Sequence, residues 1–170
     1  MSFTVSQINQ FDRTEFVRVI GPVFEHSPWI AEAASLKKPF VDADGLYRAL
    51  CDIVKHAEVE KQLALIRAHP DLVGRAALAG TLTQESTNEQ ASAGLGELSA
   101  EEIELFQKQN AAYKSKFGFP FVICARLNKK ETVLAGFEQR LKNTRAEEIY
   151  TALMEIFKIA ELRLRDITRG

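Results

Sequence analysis

Cysteine is scarce, with only Cys51 and Cys124 in the whole chain. Their separation matches no metal-ligand spacing, and two thiols are too few for a disulfide scaffold. Zinc modules and disulfide-stapled secreted domains are therefore excluded, a reducing compartment is expected, and both thiols read as core. An excess of either charge is also lacking: the formal net charge is -1, with Lys, Arg, Asp and Glu interspersed. That leaves neither a basic stripe for nucleic acid nor an acidic tail, and a small neutral or anionic ligand is compatible with it. No apolar run approaches the length of a membrane span, and Met1-Ser2-Phe3-Thr4 has neither the charged nor the apolar region of a signal peptide. The expected location is the cytoplasm. No repeat, low-complexity linker or sustained alternation of apolar and polar residues is present, which argues against a sheet-built protein.

What is present reads as helix. With 46% hydrophobic and 26% charged residues, the 170-residue chain fits one soluble domain, 1–170, able to bury a single core. Asp12 and Glu15 form a capping-box pattern ahead of Phe16, Val17, Val19 and Ile20, and Gly21-Pro22 ends or bends that helix. Ser27-Pro28 opens another, with proline where its missing N–H costs nothing. Asp42 caps a third bearing Leu46, Leu50, Ile53 and Val54, and Val59, Leu63 and Ile66 mark a fourth that must stop near Pro70. Ser99 and Glu102 cap a helix with Ile103, Phe106, Tyr113 and Phe117 on one face and a stop at Gly118. A short helix around Val133, Leu134, Phe137 and Leu141 follows, then Thr144 and Glu147 open a long last helix reaching about Ile167. The class is all-α. Between Gly118 and Val133, Phe119-Pro120-Phe121-Val122-Ile123-Cys124-Ala125 reads equally as a buried extended segment or a helix start.

Three places carry chemistry. In the last helix, Ile149, Leu153, Ile156, Ala160, Arg163 and Ile167 recur by threes and fours, which puts Arg163 on the core-facing stripe. An inward guanidinium needs an acceptor, and Glu89 or a substrate anion would serve; the plainer reading is that Arg163, close to the helix end, snorkels to solvent or pairs with a structural carboxylate. His69 stands where a helix must stop, and Pro70 restricts its backbone, so its imidazole can be held in one direction and exchange protons near neutral pH. A structural helix-end histidine is the plainer reading. His26 and His56 have no such company. Ser86-Thr87-Asn88-Glu89-Gln90 has the Ser-x-x-Glu spacing of a capping box, and the same opening turn would offer free N–H groups to an anion, with the Gln90 amide beside them.

Taken together, His69-Pro70-Asp71-Leu72, Leu82-Thr83 with Ser86-x-x-Glu89-Gln90-x-x-Ala93-Gly94-Leu95, and Asn110-x-x-Tyr113-x-x-Lys116 running on to Arg126 resemble the OHCU decarboxylase family. The resemblance extends from the first helix to the last. It implies an all-α bundle of the OHCU decarboxylase type, usually a homodimer, working without metal or organic cofactor. The implied reaction converts 2-oxo-4-hydroxy-4-carboxy-5-ureidoimidazoline (OHCU) to (S)-allantoin in urate breakdown. Carried over by position, the catalytic residues are His69, Glu89 and Arg163. The substrate contacts are Pro70, Ser86, Thr87, Asn88, Glu89 and Gln90, with the backbone of Phe121, Val122, Ile123, Cys124 and Ala125. Vertebrate members end in a peroxisomal signal; this chain ends Ile167-Thr168-Arg169-Gly170, which fits a cytoplasmic enzyme of bacterial type. Two other classes fit the same periodicities: a different acid–base enzyme acting on a cyclic ureide, and a helical interaction module with Ser86 and Glu89 as caps.

Overall fold

Apolar residues recurring at helical spacing, punctuated by caps, produce helices almost throughout the computed structural model, which describes residues 1–169. In chain order the elements are β1 (Phe3–Thr4), α1 (Val5–Gln10), α2 (Arg13–Ile20), α3 (Pro28–Ser35), α4 (Ala43–Lys55), α5 (Val59–Arg67), α6 (Arg75–Ala79), α7 (Gln84–Ser92), α8 (Ala100–Phe117), α9 (Lys130–Arg140), α10 (Arg145–Ile167) and β2 (Thr168–Arg169). Short 3-10 turns occupy Gly21–Val23 and Ala125–Leu127. The all-α class holds, since β1 and β2 form only a two-residue parallel pair. No helix is long and apolar enough to cross a membrane among the described residues.

The chain divides into two compact units. The first comprises Met1–Ala68 and the chain from Phe157 onward. Here α3 packs on α2 and on α4, burying Phe16, Ile20, Ile30, Ala34, Leu46 and Leu50. The caps form as the sequence predicts at Asp42, whose carboxylate accepts from Gly45 N at 2.7 Å, and Pro28 takes the first position of α3. Asp12 accepts from Glu15 N, but the Glu15 carboxylate turns to Arg18 instead of closing the box. Val59, expected on the apolar face of α5, is exposed.

Cys51 lies buried in this unit, and burial pushes its thiol up to about 11. The thiolate is the nucleophile, so alkylation at pH 8 should run about 100-fold slower than at a free cysteine, measured as iodoacetamide incorporation before and after unfolding. Equal rates in the two states would contradict that burial.

The second unit is His69–Ile156. Its core is aromatic: Phe106, Tyr113, Phe117, Phe119, Phe121 and Phe137 are all essentially fully buried. The Phe121 and Phe137 rings stack with centroids 3.9 Å apart, and Tyr113 meets Phe121 edge-on at 5.2 Å. Each such ring contributes about 1.5–3 kcal/mol by burial. Gly136 makes room for this stack, since a Cβ there would sit 3.3 Å from Phe121 Cζ. Gly118, at φ 79°, ends α8 in the left-handed conformation that glycine adopts without a Cβ clash. The open question over residues 119–125 resolves against helix: the run is buried and irregular, and only from Ala125 does a 3-10 turn begin.

Candidate active site

α5 ends at Arg67 because Pro70 forbids another helical turn, and the chain leaves it through His69, which is 8% exposed. The three residues after Pro70 are held from two helices. Gln90 Oε1 accepts from Val73 N at 3.1 Å, and Gln90 Nε2 reaches Asp71 O at 3.4 Å. From α8, Asn110 Nδ2 donates to Leu72 O at 2.8 Å, and Lys114 Nζ pairs with Asp71 Oδ2 at 2.8 Å. Val73 has φ 53°, a left-handed conformation unfavourable for a β-branched residue. Strain of this kind persists only where surrounding contacts over-determine the backbone, and those four contacts do so here. The loop that carries His69 is therefore pinned.

α7 differs from the sequence expectation at its start. Thr83, not Ser86, is the cap: its hydroxyl accepts from Ser86 N at 3.2 Å, and its carbonyl accepts from Thr87 N at 2.9 Å. Ser86 is thus inside the first turn, and its own N–H is already used. Threonine at Leu82-Thr83 offered an equal capping hydroxyl three residues earlier, and the pattern Ser-x-x-Glu could not exclude it. The shift changes which face is inward. Ser86 and Gln90, four residues apart, are buried together, and Glu89 is half-buried. Thr87 and Asn88 lie on the exposed side, where Thr87 Oγ1 donates to Thr83 O and Asn88 Oδ1 accepts from Gln84. α7 also packs against the turn Ala125–Leu127, which brings Ser86–Gln90 to the end of the Phe121–Ala125 run.

That run is braced from α9 and α10. Arg140 Nη1 donates to Val122 O at 2.6 Å, and Glu155 Oε1 accepts from Cys124 N at 3.2 Å. Arg140 in turn pairs through Nε with Glu148 Oε1 at 2.7 Å, and Tyr113 OH donates to the same oxygen at 2.5 Å. Burial, with the Glu148 carboxylate second, pushes the Tyr113 phenol up, so it stays a donor at neutral pH. Sequence reading missed this network. Its signal was present in α10: Glu148, Ala152, Glu155 and Ile159 form a second inward row beside the Arg163 stripe, and all four are buried.

Arg163, in the first unit, is directed inward as its spacing predicts and is 4% exposed. A structural carboxylate meets it: Glu25 Oε2 lies 2.9 Å from Nη2, and Pro22 O accepts from Nη1 at 3.0 Å. Glu25 was not foreseen. An acidic residue inside the apolar run Pro22-Val23-Phe24-Glu25, opposite in charge to an inward arginine, was the available clue. His56 accords with a structural place, its Nδ1 lying 2.8 Å from Asp52 O, and His26 is exposed. Among the described residues, no group of three or more His, Cys, Asp or Glu is placed to hold a metal ion.

A buried histidine ahead of a pinned loop, with the buried polar side chains of Ser86 and Gln90, is a candidate enzyme site, and the sequence relatives of this chain are decarboxylases. The model of the OHCU decarboxylase family matches residues 9–165, and the chain belongs to that family. It is 42% identical over 165 residues to the 2-oxo-4-hydroxy-4-carboxy-5-ureidoimidazoline decarboxylase of Halalkalicoccus jeotgali, covering 97% of this chain and 92% of that protein. A crystal structure of (S)-allantoin synthase superposes with TM-score 0.77 at 29% identity over 96% of this chain. This chain spans 54% of that one. A crystal structure of OHCU decarboxylase in the presence of (S)-allantoin gives TM-score 0.70 at 28% identity, covering 85% of this chain and 93% of the other.

Proposed function

We propose that this protein decarboxylates OHCU to (S)-allantoin in urate breakdown by acid–base catalysis, without metal or organic cofactor. The observation that carries the reading is the 42% identity, over 97% of the chain, to a protein named for that decarboxylation. A single family match across residues 9–165 supports treating the chain as one OHCU decarboxylase-like domain. The resemblance also supports a homodimer, and the two free, buried cysteines fit the reducing cytoplasm.

The substrate supplies its own electron sink. When the bond to CO2 breaks, the electron pair moves into the neighbouring ring C=N, whose nitrogen takes up a proton, leaving an enol intermediate. The substrate's hydroxyl then gives up its proton to become a carbonyl, and the ureido-bearing carbon receives a proton on one face. The protein's tasks are to hold the carboxylate, assist the hydroxyl and deliver that proton stereospecifically. His69 has the acid–base role, favoured by its burial on a pinned loop. Glu89 orients His69 or the substrate's hydroxyl and ureido groups, and Arg163 holds substrate or a carboxylate electrostatically. Pro70, the Ser86–Gln90 segment and the backbone of Phe121–Ala125 contact the ring and its substituents.

Adding the purified protein to freshly generated OHCU should accelerate its disappearance, with one CO2 released per molecule consumed. Decay at the spontaneous rate would overturn the reading.

A further inference from the structure

The irregular run Phe121–Ala125 is held at two atoms whose residues are two apart. Val122 O accepts from Arg140 Nη1 at 2.6 Å, and Cys124 N donates to Glu155 Oε1 at 3.2 Å. Ile123 lies between them. Among the described residues the only cis peptide bond is Lys38-Pro39, so both peptide units flanking Ile123 are trans. A trans unit turns its C=O and its N–H in opposite directions. Val122 C=O shares a unit with Ile123 N–H; once Arg140 holds the carbonyl, the Ile123 N–H must point away from the guanidinium. Ile123 C=O shares the next unit with Cys124 N–H; Glu155 therefore aims that carbonyl away from its own carboxylate.

The result is an adjacent donor and acceptor on a half-buried residue whose neighbours, Val122 and Cys124, are buried. Among the described residues, neither Ile123 N nor Ile123 O has a hydrogen-bond partner. Buried backbone groups are almost always paired, so such an edge is suited to a ligand or water. A donor beside an acceptor complements the N–H and C=O of a cyclic amide or ureide.

The two braces share one support. Glu148 and Glu155 are seven residues apart, two turns along the same face of α10. Glu148 holds Arg140 by a 2.7 Å ion pair and is itself fixed by Tyr113 at 2.5 Å and by Asn143 at 2.9 Å. The Arg140 guanidinium also lies 4.2 Å from the centroid of the Phe121 ring.

We propose that Glu155 and the Arg140–Glu148 pair are positioning residues, which aim the Ile123 N–H and C=O at the ring amide of the substrate. This rests on the reading of Phe121–Ala125 as a wall of the site. Glu155→Leu removes the acceptor for Cys124 N–H, whereas Glu155→Gln keeps an oxygen there. The leucine variant should raise KM for OHCU about tenfold, equivalent to about 1.4 kcal/mol, with kcat changed far less, and the glutamine variant should restore it to within about twofold. Arg140→Lys, which keeps the charge but not the forked reach, should shift KM in the same direction. Where the leucine variant fails to fold, the wild-type protein still decides: titration with (S)-allantoin should move the Ile123 amide resonance.

Equal KM in Glu155→Leu, Arg140→Lys and wild type would overturn the positioning role, as would an Ile123 amide unmoved while α7 resonances shift. Activity of the wild type and its loss in His69→Asn test the underlying reading separately. A normal KM in Glu155→Leu against that background removes this inference alone.

Discussion

Replacing His69 with alanine or asparagine should abolish the acceleration of OHCU decay while leaving a folded protein. The residue lies past the end of α5, and the three residues after Pro70 are held by Gln90, Asn110 and Lys114. Those backbone and side-chain contacts survive the substitution, and a small cavity remains where the buried ring was. What is lost is the group able to take and return a proton near neutral pH, an effect of about 100- to 10,000-fold for a positioned acid or base. The measurement is the first-order decay of freshly generated substrate, with circular dichroism of the protein as the check on folding. A folded variant that keeps full rate would remove His69 from the chemistry.

The largest stability effect is expected at Glu148. It is wholly buried, and its carboxylate serves Tyr113, Arg140 and Asn143 at once. Glu148→Ala strands the Arg140 guanidinium, which is also nearly buried, and leaves the Tyr113 hydroxyl without its strongest acceptor. Breaking a buried pair from one side costs about 3–5 kcal/mol, because the remaining charge has no compensation. For a chain of this size that corresponds to a fall in melting temperature of about 10 °C or more. Thermal or urea unfolding followed by circular dichroism would measure it. Glu148→Gln should lose less, since an amide oxygen can still accept from Tyr113. A loss below about 1 kcal/mol in the alanine variant would mean that solvent reaches the network.

Much of this architecture was legible in the chain because caps and stops are local chemistry. Asp42, Ser99, Thr144, Gly118 and the Ser27-Pro28 step each determine an element boundary within a few residues, and each boundary falls where the pattern puts it. The short helices α1 and α6 escaped for the converse reason: α1 buries only Ile8 and α6 buries nothing, so neither has an apolar stripe to read. The start of α7 was misplaced because Thr83 and Ser86 both offer a capping hydroxyl, and the register that buries Gln90 against Val73 and Asp71 is set by tertiary contacts no local pattern shows.

The inward direction of Arg163 followed from spacing alone, but its partner did not. Glu25 is 138 residues away in sequence, and no local rule couples them. The same holds for Arg140 and Val122, or Glu155 and Cys124: polar groups meet across elements only after the fold has formed. Sequence can mark such a residue as costly to bury; the contact that relieves the cost belongs to tertiary structure.

Circular dichroism of the product formed from freshly generated OHCU decides whether this protein is a stereospecific decarboxylase. The expected result is optically active allantoin of the S form, because the enzyme presents one face of the ureido-bearing carbon to its acid. Racemic allantoin, at the rate and in the yield of spontaneous decay, would contradict the account and leave a binding module. A product other than allantoin would contradict it differently, and point to hydrolysis of the ring.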